Sequence, residues 1–209
     1  MCGIGISCTN LSCNHRHTVN DGSSPNPSAC SLYTNSLTLG GLSKSFGLPG
    51  LRMGWLCSRN ADIMAMIASF KDYLSYCPPA PCEILAIIAL RQRDVILKRG
   101  AQIVAENLAL LDAFFAKHSA VFDWYKPRAS TTSFVRIKGW LLGIGKAADA
   151  GGAGGSSGFC EELIKQQNVA LLPSTVFQYP DEFVRLGVGR RNLKECLLQL
   201  ELFLQRNKP

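Results

Sequence analysis

Several things are scarce or missing in this sequence. No uninterrupted apolar run reaches 18 residues in the 209-residue chain, so a membrane-spanning helix is not expected. No basic run is interleaved with aromatics: the 22 Lys and Arg are spread from Arg16 to Lys208, and the densest groups are pairs such as Lys98-Arg99 and Arg190-Arg191. The formal charge of +7 would suit a nucleic acid, but this scatter argues against that partner. No cysteine spacing matches a zinc site made of two close pairs. Five and then four residues separate Cys2, Cys8 and Cys13, with His15 and His17 following, and this end is expected to hold no metal. There is no internal repeat, and the apolar opening "MCGIGISC" lacks basic residues and is short for a signal peptide.

What is present describes a folded protein. Hydrophobic residues make up 47% and charged residues 18%, a globular balance with enough length for a sizeable core. Nine cysteines, an odd number, suit reduced thiols, and Cys57, Cys77, Cys82, Cys160 and Cys196 sit among apolar neighbours that predict burial. The chain therefore reads as soluble and cytoplasmic.

Periodicity organises the rest. Residues 1–30 are rich in Ser, Asn, Pro and Gly and read as a disordered or loop segment. "SLTLGGL" and "LRMGWLCS" predict two short strands. Asn60 is a candidate N-cap for a helix to about Tyr76, with Ile63, Met66, Ile67, Phe70 and Leu74 on one face. "CPPAP" stops it. Helical spacing then runs over 81–118 through Ile84, Ile88, Val95, Val104, Leu108, Leu111 and Phe115, with Gly100 a candidate kink. Such a rod is roughly 50 Å long and could join two domains. Short strands are expected in "TTSFVRIK", "VALL" and "EFVRLGVG", and helices in "FCEELIKQQ" and "LKECLLQLELFLQ". "GIGKAADAGGAGGSSG" reads as a flexible insertion.

The loop between the first two strands carries the chemistry. "GGLSKSFGLPGLRMGW" holds Lys44 and Arg52 and no acidic residue. Gly47, Pro49 and Gly50 force the chain to fold back, which can bring both cations towards one space. That is unfavourable unless an anion lies between them. Ser43, Ser45 and close backbone amides could add hydrogen bonds to a phosphate, and an amine near a cation and away from water has a lowered pKa. A surface turn with two solvated cations explains the same residues.

"GLSKSFGLPGLRMG", all fourteen residues from Gly41 to Gly54, resembles the pyridoxal-phosphate attachment signature of the class I and II aminotransferases. The helix, proline break, long helix and closing "FVRLGVGRRN" are similar to that family too, and the resemblance covers about residues 30–209. It implies an α/β chain of fold type I: a remnant of the large-domain sheet with the lysine loop (31–80), a connecting helix (81–118) and a small α+β domain (119–209). It implies pyridoxal 5'-phosphate as cofactor, and transfer of an amino group between an amino acid and a 2-oxo acid. Lys44 would hold the cofactor as a Schiff base and move the substrate proton, and Arg52 would clamp its phosphate. Arg185 would hold the substrate carboxylate; Arg190 and Arg191 would belong to the surface. A homodimer is implied as well.

The pattern is broken in three places. Gly41 stands where relatives often place a phosphate-touching serine, and Ser174 stands where a glycine usually follows the proline. Only 43 residues precede Lys44, so the resemblance implies that most of the large domain is missing. The aspartate expected opposite the pyridine nitrogen has no match, Asp21 included. An inactive fragment serving as a binding or dimerising module, and a lyase or synthase on the same scaffold, stay open beside the aminotransferase reading.

Overall fold

The computed structural model describes residues 27–145 and 154–209. The Cys2, Cys8, Cys13, His15 and His17 group and most of the glycine-rich insertion lie outside the described residues. The chain divides into two compact units, one ending at Ala101 and one beginning at Gln102.

The first unit opens with a one-turn helix, α1 (Ala29–Leu32), where sequence patterning gave only loop. Strands β1 (Thr38–Gly41) and β2 (Gly54–Cys57) pair antiparallel, with Gly41 opposite Gly54 and Gly40 opposite Trp55. The second expected strand is shorter than its apolar run, because Pro49–Leu51 forms a 3₁₀ turn instead. Helix α2 (Ala61–Leu74) begins where expected: the Asn60 side chain accepts from the Ile63 amide at 3.1 Å, filling one of the free amides of a helix start. Its apolar face is not covered among the described residues; Phe70 is 62% and Leu74 71% exposed.

The long helical signal is two helices, not one rod. Helix α3 (Ala80–Arg91) has Pro81 in its first turn, and α4 spans Arg93–Lys117. The break falls at Gln92, whose ψ of 19° leaves the helical range. Gly100 lies within α4 and does not mark it. In α3 the small Ala86 and Ala89 are buried, while Ile84 and Ile88 stay exposed.

The second unit is a four-stranded antiparallel sheet in the order β3-β4-β6-β5. The strands are β3 (Phe122–Asp123), β4 (Thr132–Ile137), β5 (Leu172–Pro173) and β6 (Phe183–Gly187). Alternation puts Val135, Ile137, Val184 and Leu186 on one face, the period-2 geometry of a half-buried sheet. They form the core with Val104, Leu108, Leu111 and Phe115 of α4. Phe159 and Leu163 of α5 (Gly155–Gln167) and Leu197, Leu200 and Phe203 of α6 (Leu193–Asn207) complete it. Asn107 is a buried polar residue of α4 whose Nδ2 donates to the Val188 and Arg190 carbonyls at 2.6 and 2.7 Å. A polar side chain can sit in a core only when satisfied in this way.

Helix α5 starts four residues before its apolar pattern because Asp181, distant in sequence, supplies the cap. One Asp181 carboxylate oxygen accepts from the Ser156 and Ser157 amides at 3.0 and 3.2 Å. A negative group at a helix N-terminus is favoured by charge as well as by hydrogen bonding. The following loop is held by Ser174, which is fully buried. Its Oγ donates to the Pro180 carbonyl and accepts from the Phe183 amide at 3.3 Å.

The cysteines depart from expectation. Those in the described residues are all free thiols, but only Cys160 is buried, while Cys57 and Cys77 are exposed. Burial, followed by the nearby Asp181 and Glu161 carboxylates, pushes the Cys160 thiol up to about 12, so it stays protonated and unreactive.

Ser174→Ala leaves the Phe183 amide and the Pro180 carbonyl without this partner. We expect a stability loss of about 1–3 kcal/mol in urea unfolding, with faster proteolysis between residues 174 and 180. A second expectation concerns acid. Burial raises the Glu201 carboxyl pKa, but Lys117 at 2.9 Å and His118 at 2.6 Å outweigh it, and the net pKa lies below the ordinary 4.5. This contribution is complete above the ordinary value and is lost as pH falls through the lowered one. Glu201→Gln should therefore flatten the fall in unfolding free energy below about pH 4.5, measured by denaturation at stepped pH.

Candidate active site

The lysine loop is built on the glycine-paired ends of β1 and β2. A Cβ at Gly54 would sit 2.9 Å from the Gly40 carbonyl oxygen, and one at Gly40 would meet the Trp55 indole at 2.3 Å. A side chain at Gly54 would press on the partner strand's backbone, and one at Gly40 would displace the Trp55 ring. Beyond the strands the Leu42 amide donates to the Met53 carbonyl at 3.1 Å, and the Leu48 amide to the Leu42 carbonyl at 2.9 Å. Leu42 itself is fully buried. Anchored in this way, residues 43–47 turn tightly: the Gly47 amide reaches the Lys44 carbonyl at 2.9 Å and Gly47 has φ 67°, a value that favours glycine.

Arg52 also lies in the left-handed region, at φ 54°. For a residue with a side chain this costs on the order of 1–3 kcal/mol, and such conformations concentrate at functional loops. One guanidinium nitrogen donates to the Pro49 carbonyl at 3.0 Å, which orients the group and leaves its other donors available. Arg52, Ser43, Met53 and the side-chain-free wall of Gly40, Gly41 and Gly54 line one depression. Its volume is about 200 Å³, below the roughly 300 Å³ at which small-molecule pockets begin. Lys44 is exposed on the same loop but does not line this depression. Among the described residues neither cation has an acidic partner within ion-pair distance.

These features fit a phosphate ester carrying an aldehyde. The guanidinium, the Ser43 hydroxyl and the glycine wall suit the phosphate, and the exposed primary amine of Lys44 suits the aldehyde. Gly41 contributes no hydroxyl, as its departure from the pattern implies, and Ser43 is the hydroxyl at the depression instead.

Arg185 belongs to the second unit. It lies at the centre of β6, opposite Phe134 of β4 and Leu172 of β5. It is on the sheet face turned away from the core, and is partly buried, not a free surface arginine. Its guanidinium carbon lies 5.5 Å from the Phe177 ring centroid, within cation–π range. No hydrogen bond or ion pair to it is present among the described residues. Arg190 and Arg191 are exposed. Sequence reasoning missed the rings around Arg185: Phe134 packs against Phe177 at 5.5 Å and Tyr179 at 6.1 Å, and Tyr179 packs against Phe183 at 5.0 Å. Phe134 and Arg136 alternating along β4, with Phe177 and Tyr179 two apart in the loop, were the available signal. Among the described residues no group of three His, Cys, Asp or Glu could hold a metal, and no helix is long and apolar enough to cross a membrane.

Comparison with known proteins gives the family and the fold. The family model for aminotransferase class I and II matches residues 15–197. Capreomycidine synthase of Streptomyces vinaceus is 26% identical over 151 residues, 72% of this chain and 35% of its own. A probable aminotransferase of Arabidopsis thaliana is 24% identical over 193 residues, 85% of this chain and 39% of its own. The crystal structure of a PLP-dependent aminotransferase from Streptococcus suis superposes with a TM-score of 0.75 at 29% identity, covering 92% of this chain and 48% of that one. The chain thus spans less than half the length of these relatives. The fold is that of the fold type I pyridoxal-phosphate enzymes, and the chain belongs to the aminotransferase class I and II family.

Proposed function

We propose that this chain supplies the lysine, one phosphate-binding wall and the substrate-carboxylate arginine of a pyridoxal-phosphate aminotransferase, which moves an amino group between an amino acid and a 2-oxo acid. The observation that carries this reading is the loop from Gly41 to Gly54. It carries an exposed amine and, beside a glycine-walled depression, a strained and oriented guanidinium, neither with an acidic partner among the described residues. The bound cofactor supplies an electron sink for the substrate's Cα, and the protein orients it and tunes its electronics.

The chain's own part follows from its side chains. Lys44 provides the nitrogen to which the cofactor's aldehyde attaches. The same side-chain amine would be the group that takes the substrate's Cα proton and returns it. Arg52 pairs with the phosphate through the donors not used by Pro49, a charge-assisted contact that fixes the cofactor's far end. Arg185 pairs with the substrate's carboxylate, and the Phe177 ring under its guanidinium limits the orientations it can take. The exposed apolar residues of α2, Phe70 and Leu74 among them, support a homodimer as the working state.

A synthase or cyclase reaction on the same scaffold is the second reading, favoured by the similarity to capreomycidine synthase. Product analysis separates the two: stoichiometric appearance of a new amino acid and a new 2-oxo acid marks transfer.

The direct test is chemical. The chain incubated with pyridoxal phosphate and reduced with borohydride should carry the phosphopyridoxyl mass on the peptide containing Lys44. Lys44→Ala should abolish that label, and Arg52→Gln should weaken cofactor retention by about tenfold or more, as expected for loss of a charge-assisted pair. Labelling spread over surface lysines, with Lys44 unmodified, would overturn the reading.

A further inference from the structure

The face of the second unit that carries Arg185 has a composition of its own. Around that cation stand Phe134, Leu172, Phe177 and Tyr179, all of them exposed. The ring contacts already described join them into one apolar surface. Large aromatics left open to water in this way mark a binding surface more often than a structural one. A second arginine shares this face, because Arg136 alternates with Phe134 along β4. Arg136 is already committed: it donates to Glu182 at 2.9 Å and lies 3.8 Å from Asp123. Among the described residues the face therefore offers one uncommitted guanidinium beside an aromatic wall.

One available cation and several rings fit a ligand with one carboxylate and an apolar body. They do not fit a dicarboxylate, whose second charge would be desolvated against Phe134 and Tyr179 without a partner. We propose that the Phe134–Phe177–Tyr179 face makes the enzyme selective for amino acids and 2-oxo acids with apolar, chiefly aromatic, side chains. Arg185 takes the carboxylate common to all substrates, and the rings discriminate by stacking against the remainder. The loop Ser174–Pro180 positions two of these rings, so the Ser174 clip serves specificity as well as stability. This proposal rests on the reading of Arg185 as the carboxylate-binding residue.

The test uses the full 209-residue chain and three probes, 3-phenylpropionate, propionate and succinate, with dissociation constants from ligand-observed NMR. The proposal expects 3-phenylpropionate to bind about tenfold or more tightly than either other acid, the size of effect that one aromatic contact supplies. Tyr179→Ala, with its fold checked by urea unfolding, should reduce 3-phenylpropionate to the level of propionate and leave propionate unchanged. Phe134→Leu should have the same direction of effect. Arg185→Gln should weaken all three. Equal binding of the three acids, or tightest binding of succinate, with Arg185→Gln still weakening them all, would overturn the selectivity and leave the carboxylate role standing. If none of the acids binds, or Arg185→Gln changes nothing, the carboxylate role falls and the selectivity falls with it.

Discussion

The lysine loop depends on two strands meeting where neither has a side chain. Gly40 and Gly54 approach so closely that a methyl group on Gly54 would press on the Gly40 carbonyl, 2.9 Å from its added carbon. Strand pairing at that distance fixes where the loop leaves β1 and where it returns to β2. Leu42 then fixes how it leaves, because its side chain is buried and its backbone bonds reach both Met53 and Leu48. The strain at Arg52 is sustained by this frame. A left-handed conformation costs energy, and only a loop whose two ends are already determined can hold it. Each link runs from glycine content through pairing geometry to the direction of a guanidinium.

Unpaired cations alone would mean little here. With 22 basic and 15 acidic residues, some cations must lack a partner whatever the fold. Their placement carries the information. Several lysines and arginines of the second unit are matched, among them Lys117 with Glu201, Lys126 with Asp112 and Arg136 with Glu182. The Lys126–Asp112 pair also receives the Trp124 indole, at 2.7 Å. Arg190 and Arg191 have no ion-pair partner among the described residues and stand at exposed positions, as surplus charge should. Arg185 differs from them, because it stands mid-strand, partly buried, with aromatic neighbours on the same face. That setting separates Arg185 from the adjacent pair.

Local signals were legible and tertiary ones were not. The Asn60 cap, Pro81 in a first turn, the β4 alternation and the α6 apolar stripe all follow from neighbours within four residues, and each formed near its expected place. The fourteen-residue loop gave the family, and the family model bears that out. The misses share one cause, which is that the deciding partner lies far along the chain. Helix α5 begins early because of Asp181, and Asn107 is buried because the backbone at Val188 and Arg190 lies against it. The apolar faces of α2 and α3 predicted burial, since periodicity reports that a face can pack and not what packs on it. The roles of Lys44, Arg52 and Arg185 rest on the resemblance and on local geometry together.

Ser174 shows how a departure from a family pattern can be absorbed. A glycine is needed where the backbone turns left-handed or where another group leaves no room for a Cβ. Ser174 is not among the residues with positive φ, so the first need does not arise. Its hydroxyl is buried but fully engaged, between the Pro180 carbonyl and the Phe183 amide, so burying a polar atom carries no unsatisfied group. The substitution exchanges a flexible residue for a clip across the six-residue span to Pro180. Phe177 and Tyr179 lie within that span, and Phe177 is the ring on which the Arg185 guanidinium rests. A serine at this position thus ties down the loop that carries the ring beneath Arg185. The backbone is unconstrained enough to accept the side chain, and the hydroxyl at one end of the loop is bonded to Pro180 and Phe183 at the other.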